Sequence, residues 1–559
     1  MQKRFWTLLF FLLLPHVAIA QTGTCEPALA DAYLDAGNVR ARILNNGALF
    51  WRGSPHVYEV PKGGGSNAIF AASIWIGGMI NGFRRVAASR YGPWEFWAGP
   101  LDYTGNPPAD CKPYDRIWEI RTEDIQAFID GEGVSNNLKN WPWHLGAPVV
   151  DGDGNPNNYN LEGGDLPELL GDQRLWWIMN DRGNIHYTSD SDPIGLEVHA
   201  SAHAFTHPGF ISNSTFYSYK LINKNNAPFD KAFFGLFKDI DLGNFDDDYV
   251  GSDSLLHLSY GYNADNVDEG GKGYGLAPPA IGFTFLETEL APPDSIDNDR
   301  DGEIDEPDEK IGAYSMVYFK SSGSVNGDPQ TGRHYYNYMQ SRWKDDAPMY
   351  KGYNGYDWRT NVDDDLPLET TRFSYSGDPV TKAFWTEFNI NNQGRAWRPA
   401  DRRSVFSSGP YTIASFDTIE VRLAIVWSRG RDNLDSVTEL KKDVRAIRST
   451  SDAFYTPASM TPKPADFRQP PSPVLGFDQN FPNPFTQSTT LRYSLPQSMQ
   501  VRLAVYDILG REVALLVDAQ QEAGIHTADF DAEDLPAGVY LARIELDFLQ
   551  FTKRMVLLR

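Results

Sequence analysis

The chain has 559 residues, which is more than one compact core accommodates, so its length predicts two to four domains. Aromatic residues make up 13% of it, a share that excludes a largely disordered chain, and its 48 Gly and 37 Pro are typical of a β-rich protein with many turns. The formal net charge of −24 argues against nucleic acid or an anionic membrane surface as a partner, because both need basic patches, whereas it is compatible with cation binding or with plain solubility.

Residues 1–20 have the three parts of a secretory signal peptide. Lys3 and Arg4 form the charged start, an apolar stretch follows, and Ala18-Ile19-Ala20 matches a small-x-small cleavage site. The apolar stretch is too short to span a bilayer, and no later apolar run approaches the roughly 20 residues that a spanning helix needs. The sequence therefore predicts an exported protein with no transmembrane segment in its mature form.

The chain has two cysteines, Cys25 and Cys111. Exported proteins meet an oxidising environment, in which a pair of thiols is commonly joined. We therefore expect a disulfide that ties the start of the mature chain to a loop far along it. The alternative is two free or separately buried thiols.

Short alternating apolar runs between turn residues predict a mostly β fold, with a multidomain β-sandwich body and long loops. We expect an N-terminal β-rich region over residues 21–135 and the main sandwich over residues 136–453. Residues 326–358 show no period and are predicted to be extended loops over the sandwich. The predicted body strands are Val39–Leu44, Ala68–Ile76, Arg174–Met179, Gly195–Phe205, Ser214–Asn223, Lys231–Asp239, Ala280–Leu286, Ala313–Phe319 and Thr418–Trp427.

Three tryptophans in the first region, Trp75, Trp94 and Trp97, have two interpretations. Such a cluster can pack in a core or can form a platform on which sugars stack. Core packing is the favoured interpretation.

One helix is predicted at the end of the body. Apolar residues recur at helical spacing from Leu434 to Ile447, and Ser436 with Glu439 matches a capping box at its start. Residues 454–473 follow with six prolines, which lack the donors that a sheet or helix needs. They are predicted to form an extended linker.

Residues 474–559 have the pattern of a small, Ig-like β-sandwich domain. Short strands alternate with turns such as Leu509-Gly510 and Pro536-Ala537-Gly538. The predicted strands are Thr489–Leu495, Gln500–Tyr506, Glu512–Val517, His526–Phe530, Gly538–Leu546 and Phe551–Leu557.

Four blocks stand out in this terminal segment: Asn480-Phe481-Pro482-Asn483-Pro484-Phe485, Tyr506 to Val513, Leu535 to Tyr540 and Lys553 to Leu557. Together they resemble the type A C-terminal sorting domain of type IX secretion cargo from Bacteroidota and related bacteria. The resemblance implies export through the inner membrane by the signal peptide and passage across the outer membrane directed by residues 474–559, through contact with the type IX machinery. The protein is then expected to be secreted or held at the cell surface, with the domain cleaved or retained.

The body resembles large, uncharacterised cargo proteins of the same system. That family carries no assigned activity, so the resemblance transfers no catalytic residue. The blocks are Tyr58 to Gly63, Ser73 to Gly78, Gly171-Asp172-Gln173, Asp246 to Asp253, Asp401-Arg402-Arg403 and Ser407 to Pro410.

An acidic loop over residues 297–308 has the strongest metal-binding pattern. Carboxylates occupy loop positions 1, 3, 5 and 9, and Gly302 permits a sharp turn. Oxygen ligands in a flexible loop favour Ca²⁺ over Mg²⁺ or a transition metal, and the loop is similar to the calcium loops of dockerins and thrombospondin repeats. Position 12 is Asp308 instead of the usual Glu, so Glu306 or Glu309 could take its place as the closing ligand. The alternative to a calcium site is a solvated acidic loop. The predicted ligands are Asp297, Asp299, Asp301, Glu303, which offers its backbone carbonyl, Asp305 and Asp308.

Two further acidic stretches are weaker metal candidates. The first repeats the 1-3-5 spacing without the later carboxylates, and the second packs six carboxylates that repel one another unless a cation or solvent compensates them. The residues are Asp151, Asp153, Asn155 and Asp165 in the first and Asp239, Asp241, Asp246, Asp247, Asp248 and Asp253 in the second. The evenly spaced His199, His203 and His207 lie in an alternating pattern that predicts a strand, on which the outer two are too far apart to share zinc.

The sequence contains no zinc-protease, nucleophile-elbow, phosphate-binding or dinucleotide motif. The expectation is a calcium-stabilised, exported β-sandwich protein with a structural, adhesive or binding role, with a polysaccharide or another cell-surface molecule as its ligand. A secreted hydrolase acting on polysaccharide is the alternative, because 74 acidic residues offer many carboxylate pairs. Whether any catalysis occurs is left open.

Overall fold

The computed structural model describes residues 23–558 apart from 54, 56, 287–288, 292–308, 357–368, 458–475, 478, 496–497, 523, 533–534 and 547–548. The predicted signal peptide, nearly all of the proline-rich linker and the acidic loop over residues 297–308 lie outside the described residues. The chain divides into two compact units. Residues up to 119 and Gly171–Thr456 form the first unit, while Ile120–Leu170 and Pro457–Arg559 form the second.

Antiparallel strands make up most of the described chain, as the sequence predicts. The body strands are β1 Asp31–Leu34, β2 Arg40–Leu44, β3 Ala48–Leu49, β4 Tyr58–Glu59, β5 Ala71–Ile80, β6 Phe83–Ala88, β7 Trp97–Ala98, β8 Trp118–Arg121, β9 Val149–Val150, β10 Leu166–Pro167, β11 Gln173–Asn180, β12 Leu196–Ala204, β13 Ser214–Asn223, β14 Phe229–Ile240, β15 Asp248–Asp253, β16 Leu258–Asn263, β17 Val267–Asp268, β18 Gly275–Leu276, β19 Ala280–Leu286, β20 Ala313–Phe319, β21 Arg402–Ile413 and β22 Thr418–Ser428.

The helices are fewer and shorter. They are α1 Thr122–Ile129, α2 Asn136–Lys139, α3 Gly332–Met339, α4 Asn433–Ser449 and α5 Ser451–Phe454. Within the described part of the chain, no helix combines the length and apolarity needed to cross a membrane.

Two large sheets of the first unit enclose one apolar core. The first sheet runs in the order β1-β2-β3-β5-β14-β21-β20, and the second includes the order β15-β16-β19-β22-β13-β12-β11-β7. Rings from the two sheets meet between them, with centroids 5.2 Å apart for Tyr219 and Phe234 and 4.8 Å apart for Phe285 and Phe406. Because alternate residues of each strand point into this core, the body is a β-sandwich.

The last hairpin of the body contributes one strand to each sheet. Strand β21 lies between β14 and β20 in the first sheet, and β22 lies between β19 and β13 in the second. Strand β21 was not predicted, because its buried Ser404, Ser407 and Ser408 interrupt the apolar alternation. Two of these hydroxyls are satisfied inside the fold, because Ser407 donates to the carbonyl of Met339 and Ser408 to that of Gly312, both at 2.7 Å.

Helices cover the outer faces of both sheets. Helix α4 packs Val437, Leu440, Val444 and Ile447 on the second sheet, which confirms the predicted helix. Its N-cap, however, is Asp432, whose side chain accepts the backbone N–H of Asp435 at 2.7 Å. The capping box predicted at Ser436 is therefore wrong, because that serine lies one turn inside the helix.

Helix α3 covers the first sheet and lies within residues 326–358, which were predicted to be loop. Tyr335, Tyr338 and Met339 pack against Trp75 and other side chains of the sheet. The helix has only eight residues, just over two turns, which is too short for a helical period to stand out in the sequence. The prediction of loop structure is wrong for this helix.

A disulfide joins Cys25 to Cys111, with their Cα atoms 5.5 Å apart, and confirms the predicted pairing. Backbone hydrogen bonds from Gly23 to the carbonyl of Arg182 and from Cys25 to the carbonyl of Gly183 fix the same segment. The bonded cysteines pack against Trp97. The beginning of the described chain is thus held by both covalent and backbone contacts.

The tail of the second unit is a two-sheet domain, as predicted. Its strands are β23 Gly476–Phe477, β24 Ser488–Leu495, β25 Met499–Asp507, β26 Glu512–Gln521, β27 Gly524–Asp531, β28 Gly538–Leu546 and β29 Leu549–Leu557. One sheet has the order β23-β24-β27 and the other β26-β25-β28-β29, with an apolar core of their inward side chains.

The sequence blocks of the tail supply its anchors and turns. Asn480 is buried and donates to Thr489 Oγ1 at 2.9 Å, while Asn483 accepts the backbone N–H of Val556 at 2.8 Å. Asp507 accepts the backbone N–H groups of Leu509 and Arg511 and thereby closes the turn between β25 and β26. These side chains fix backbone geometry, which explains the Asn and Asp of the blocks, while the positive φ of Gly510 explains the glycine of the β25–β26 turn.

Candidate functional site

The 151–165 loop brings together the first of the weaker metal candidates. Ligand atoms of Asp151, Asp153 and Asp165 all lie within 4.8 Å of one another, as the sequence spacing predicts. Asp151 accepts the backbone N–H of Gly154 at 2.7 Å, and Asp165 accepts that of Gly152 at 2.9 Å. Asn155 contributes its backbone N–H to Asp151 and Asp153. The loop therefore satisfies most of its own acceptors, and calcium binding there stays a prediction.

The second acidic stretch forms a denser group in the first unit. Asp239 lies at the end of β14, Asp241 follows it, and Asp401 immediately precedes β21. Their ligand atoms lie within 4.8 Å of one another, because the register of the sheet places Asp239 opposite Arg403. We call Asp239, Asp241 and Asp401 the aspartate triad.

One guanidinium contacts two members of the triad. Arg403 donates from Nη2 to Asp401 at 2.9 Å and from Nε to Asp239 at 3.3 Å, and the Tyr91 hydroxyl also donates to Asp239. Burial, followed by repulsion from Asp401, raises the pKa of Asp239 to about 7. Burial, followed by repulsion from Asp239 and Asp401, raises the pKa of Asp241 to about 8. The single cation in contact therefore leaves an excess of negative charge.

The loop that follows the triad buries further carboxylates. Asp248 is fully buried and accepts the backbone N–H of Leu242 on Oδ2 at 3.0 Å, whereas its Oδ1 has no hydrogen-bond partner among the described residues. Burial, together with repulsion from Asp247, Asp241 and Asp268, raises the pKa of Asp248 well above its ordinary value. Both side-chain oxygens of Asp247 also lack a hydrogen-bond partner in the described part of the chain.

The structure separates two of the predicted residues from this group. Asp246 is exposed, and Asp253 is paired with Lys441 of α4 at 3.2 Å. The sequence did not indicate Asp401 or Asp268 as members of this group. The pairing of β14 with β21 brings Asp401 to it, and the β17–β18 hairpin brings Asp268 to it. The sole signal for Asp401 was its place in a block shared with similar cargo bodies.

The histidines behave as the strand prediction requires. His199 and His203 lie on β12, and the His199 ring nitrogen is 2.9 Å from Glu197. His203 is fully buried, with Nε2 2.8 Å from the carbonyl of Phe454. Burial, followed by the charge of Arg174, lowers the pKa of His203 to about 3, so this ring is neutral.

The three tryptophans Trp75, Trp94 and Trp97 differ in whether they fit core packing or an exposed platform for sugars. Trp75 and Trp97 are buried, which confirms core packing for both. Trp94 is 41% exposed and contacts the 61% exposed Tyr187 edge to face, with ring centroids 5.6 Å apart. This pair presents aromatic surface to solvent.

A cavity of about 270 Å³ opens beside α3. Arg342 and Arg372 are its charged lining residues, together with polar and apolar groups. None of its described lining residues is a carboxylate, so this cavity lacks the acid pair that glycoside cleavage uses.

Residues 479–558 match the family described as the secretion system C-terminal sorting domain. The tail therefore makes the chain a type IX secretion cargo, exported to the cell surface or released, and implies contact with the type IX machinery. Comparison with curated proteins found no match. Among solved structures, the chain is similar to a polysaccharide lyase at 9% identity over 73% of this chain and 42% of that one, with a TM-score of 0.16. The chain thus spans less than half of that protein, and a likeness at this TM-score carries no argument.

Proposed function

We propose that the body works outside the cell as a calcium-stabilised β-sandwich protein with a structural, adhesive or binding role. The sorting domain carries this proposal, because it delivers the body to a place where calcium is plentiful and disulfides persist. The Cys25–Cys111 disulfide and the two acidic groups suit such an environment.

We infer that a cell-surface or extracellular polysaccharide is the ligand. The exposed Trp94–Tyr187 pair supports this inference, because aromatic rings offer an apolar face together with a polar edge, as a sugar does. The strongly acidic chain disfavours polyanions as the ligand, so neutral glycans are the best candidates.

The experiment compares binding and turnover in one set of samples. The purified full chain is incubated with a panel of neutral and acidic polysaccharides, and both retained protein and released sugar are measured. We expect retention on neutral glycans without release of sugar. Reproducible turnover that disappears on changing one carboxylate would support the hydrolase alternative and overturn the proposal.

Export is checked separately in the source bacterium. The full chain should appear outside the cell or on its surface, whereas a variant that lacks residues 479–558 should accumulate in the periplasm. Equal export of both chains would contradict the role assigned to the tail.

A further inference from the structure

The aspartate triad lies where the chain passes from one sheet of the sandwich to the other. Strand β14 belongs to the first sheet and β15 to the second, and residues 241–247 connect them. Asp241 is the first residue of this connection, and Asp248 is the first residue of β15 after it. Asp401 immediately precedes β21. A bound ion at this point would join both sheets and two distant parts of the sequence.

The charges at this crossing do not balance. Arg403 donates hydrogen bonds to Asp239 and Asp401 but not to Asp241, on which Arg403 and Lys272 act only through their charge. When all three carboxylates are ionised, as metal ligands must be, one guanidinium leaves two negative charges, the amount that one divalent cation neutralises. Buried carboxylates without compensation are costly, so an ion removes a destabilising feature of the fold.

Two buried carboxylate oxygens without a hydrogen-bond partner, one in the triad and one at the end of the crossing loop, are the second observation. Asp248 Oδ1 is buried and has no hydrogen-bond partner among described residues, and the same is true of Asp401 Oδ1. Asp248 is fully buried, with Asp241 among the carboxylates that act on it. In contrast to the 151–165 loop, this group therefore retains acceptors that the protein itself does not fill.

We propose that Asp239, Asp241 and Asp401 ligate one Ca²⁺, with Asp248 as a fourth acidic partner from the far end of the crossing loop. Calcium–oxygen distances are about 2.3–2.6 Å, so two ligands of one ion lie up to about 5 Å apart. The 4.8 Å limit within which the triad atoms lie agrees with that span. Oxygen-only ligands favour Ca²⁺ over softer metals. This assignment rests on the calcium stabilisation proposed above and names one place where it acts.

The test uses the full chain after removal of metal with a chelator. Calcium binding is followed by titration calorimetry and by the thermal midpoint, for the wild type and for Asp241→Asn and Asp401→Asn. Asp246→Asn is the matched control, because Asp246 lies in the same loop and is exposed. We expect calcium to raise the midpoint of the wild type and the control, and both triad variants to lose one bound calcium per chain or to bind it at least tenfold more weakly.

A second measurement separates loss of binding from loss of folding. Without calcium, Asp241→Asn should be at least as stable as the wild type, because the substitution removes repulsion between carboxylates. An equal midpoint shift with magnesium would overturn the assignment to calcium.

The outcomes also separate this site from the broader proposal. If the wild type does not respond to calcium, both the calcium stabilisation and this site are wrong. If the triad variants respond as the wild type does while Asp299→Asn does not, calcium stabilises the protein through the 297–308 loop and the triad assignment is wrong.

Discussion

Glu387 and Arg402 form an ion pair in the interior of the sandwich body. Glu387 Oε1 accepts from Arg402 Nη2 at 2.8 Å and from Nε at 2.9 Å, and the two side chains are 0% and 5% exposed. Glu387 Oε2 also accepts the backbone N–H of Val250 at 2.6 Å. The pair thus attaches the long segment before β21 to the edge strand β15.

Glu387→Gln is expected to destabilise the body by about 3 kcal/mol, because it leaves the buried Arg402 charge without compensation. Denaturant unfolding of the full chain measures the change. Glu439→Gln is the matched control, since its pair with Lys442 is exposed to solvent and contributes little to stability. Equal effects of both substitutions would refute the assigned role of the buried pair.

Lys238 is a fully buried lysine in the core between the sheets. Its Nζ donates to Ser259 Oγ at 2.7 Å and lies 5.1 Å from the Phe283 ring centroid and 5.4 Å from that of Phe406. Burial lowers the pKa of Lys238 well below the ordinary 10.5. The unfolded chain therefore binds a proton that the folded chain releases, and this residue makes stability rise with pH up to the ordinary lysine range.

Lys238→Met should remove that dependence and raise the free energy of unfolding at pH 7. Between pH 7 and pH 10 the slope against pH should fall by up to about 1.4 kcal/mol per unit, the value for one proton. Unfolding curves at several pH values test this, with Lys220→Met, at an exposed position of β13, as the control. An unchanged slope in Lys238→Met would show that Lys238 remains charged in the folded chain.

Replacing both Cys25 and Cys111 with Ala should lower the free energy of unfolding by about 4 kcal/mol, because the disulfide closes a loop of 86 residues. Reductant should destabilise the wild type similarly and leave the double variant unchanged. Thermal unfolding with and without reductant measures both effects. A wild type that is insensitive to full reduction would contradict the prediction.

Trp94→Ala should weaken binding to the retained polysaccharide about fivefold, which corresponds to an aromatic contact of about 1 kcal/mol. Tyr103→Ala is the control, because Tyr103 is 86% exposed and lies outside the Trp94–Tyr187 pair. Affinity gels or calorimetry report the difference. If both variants weakened polysaccharide binding equally, or if neither weakened it, the Trp94–Tyr187 pair would not be part of the binding surface.

The tail was the most predictable part of the chain. Strands such as β24 and β28 alternate over much of their length, and Asn480, Asn483 and Asp507 mark anchors and turns that depend on local sequence. The body strands with β-branched and aromatic residues were also predicted to within a few residues, for example β11 and β22. Local chemistry determines these elements, so sequence periodicity reveals them.

The aspartate triad was only half predictable. Asp239 and Asp241 are close in sequence, whereas Asp401 joins them through the β14–β21 register. Strand β21 itself gave no periodic signal, because small buried serines interrupt its apolar residues. Long-range strand pairing depends on the whole core, so single-sequence patterns do not locate it.

The placement of β21 and β22 has a consequence for the order of events during synthesis and export. Each sheet gains an interior strand only when residues 402–428 have emerged, so a nascent body cannot close its core early. A fragment ending before Arg402 leaves β14, β19 and β13 with one unpaired edge each and β20 without the strand it pairs with, and such exposed edges promote aggregation. A complete sandwich body therefore requires that synthesis has passed the hairpin over residues 402–428.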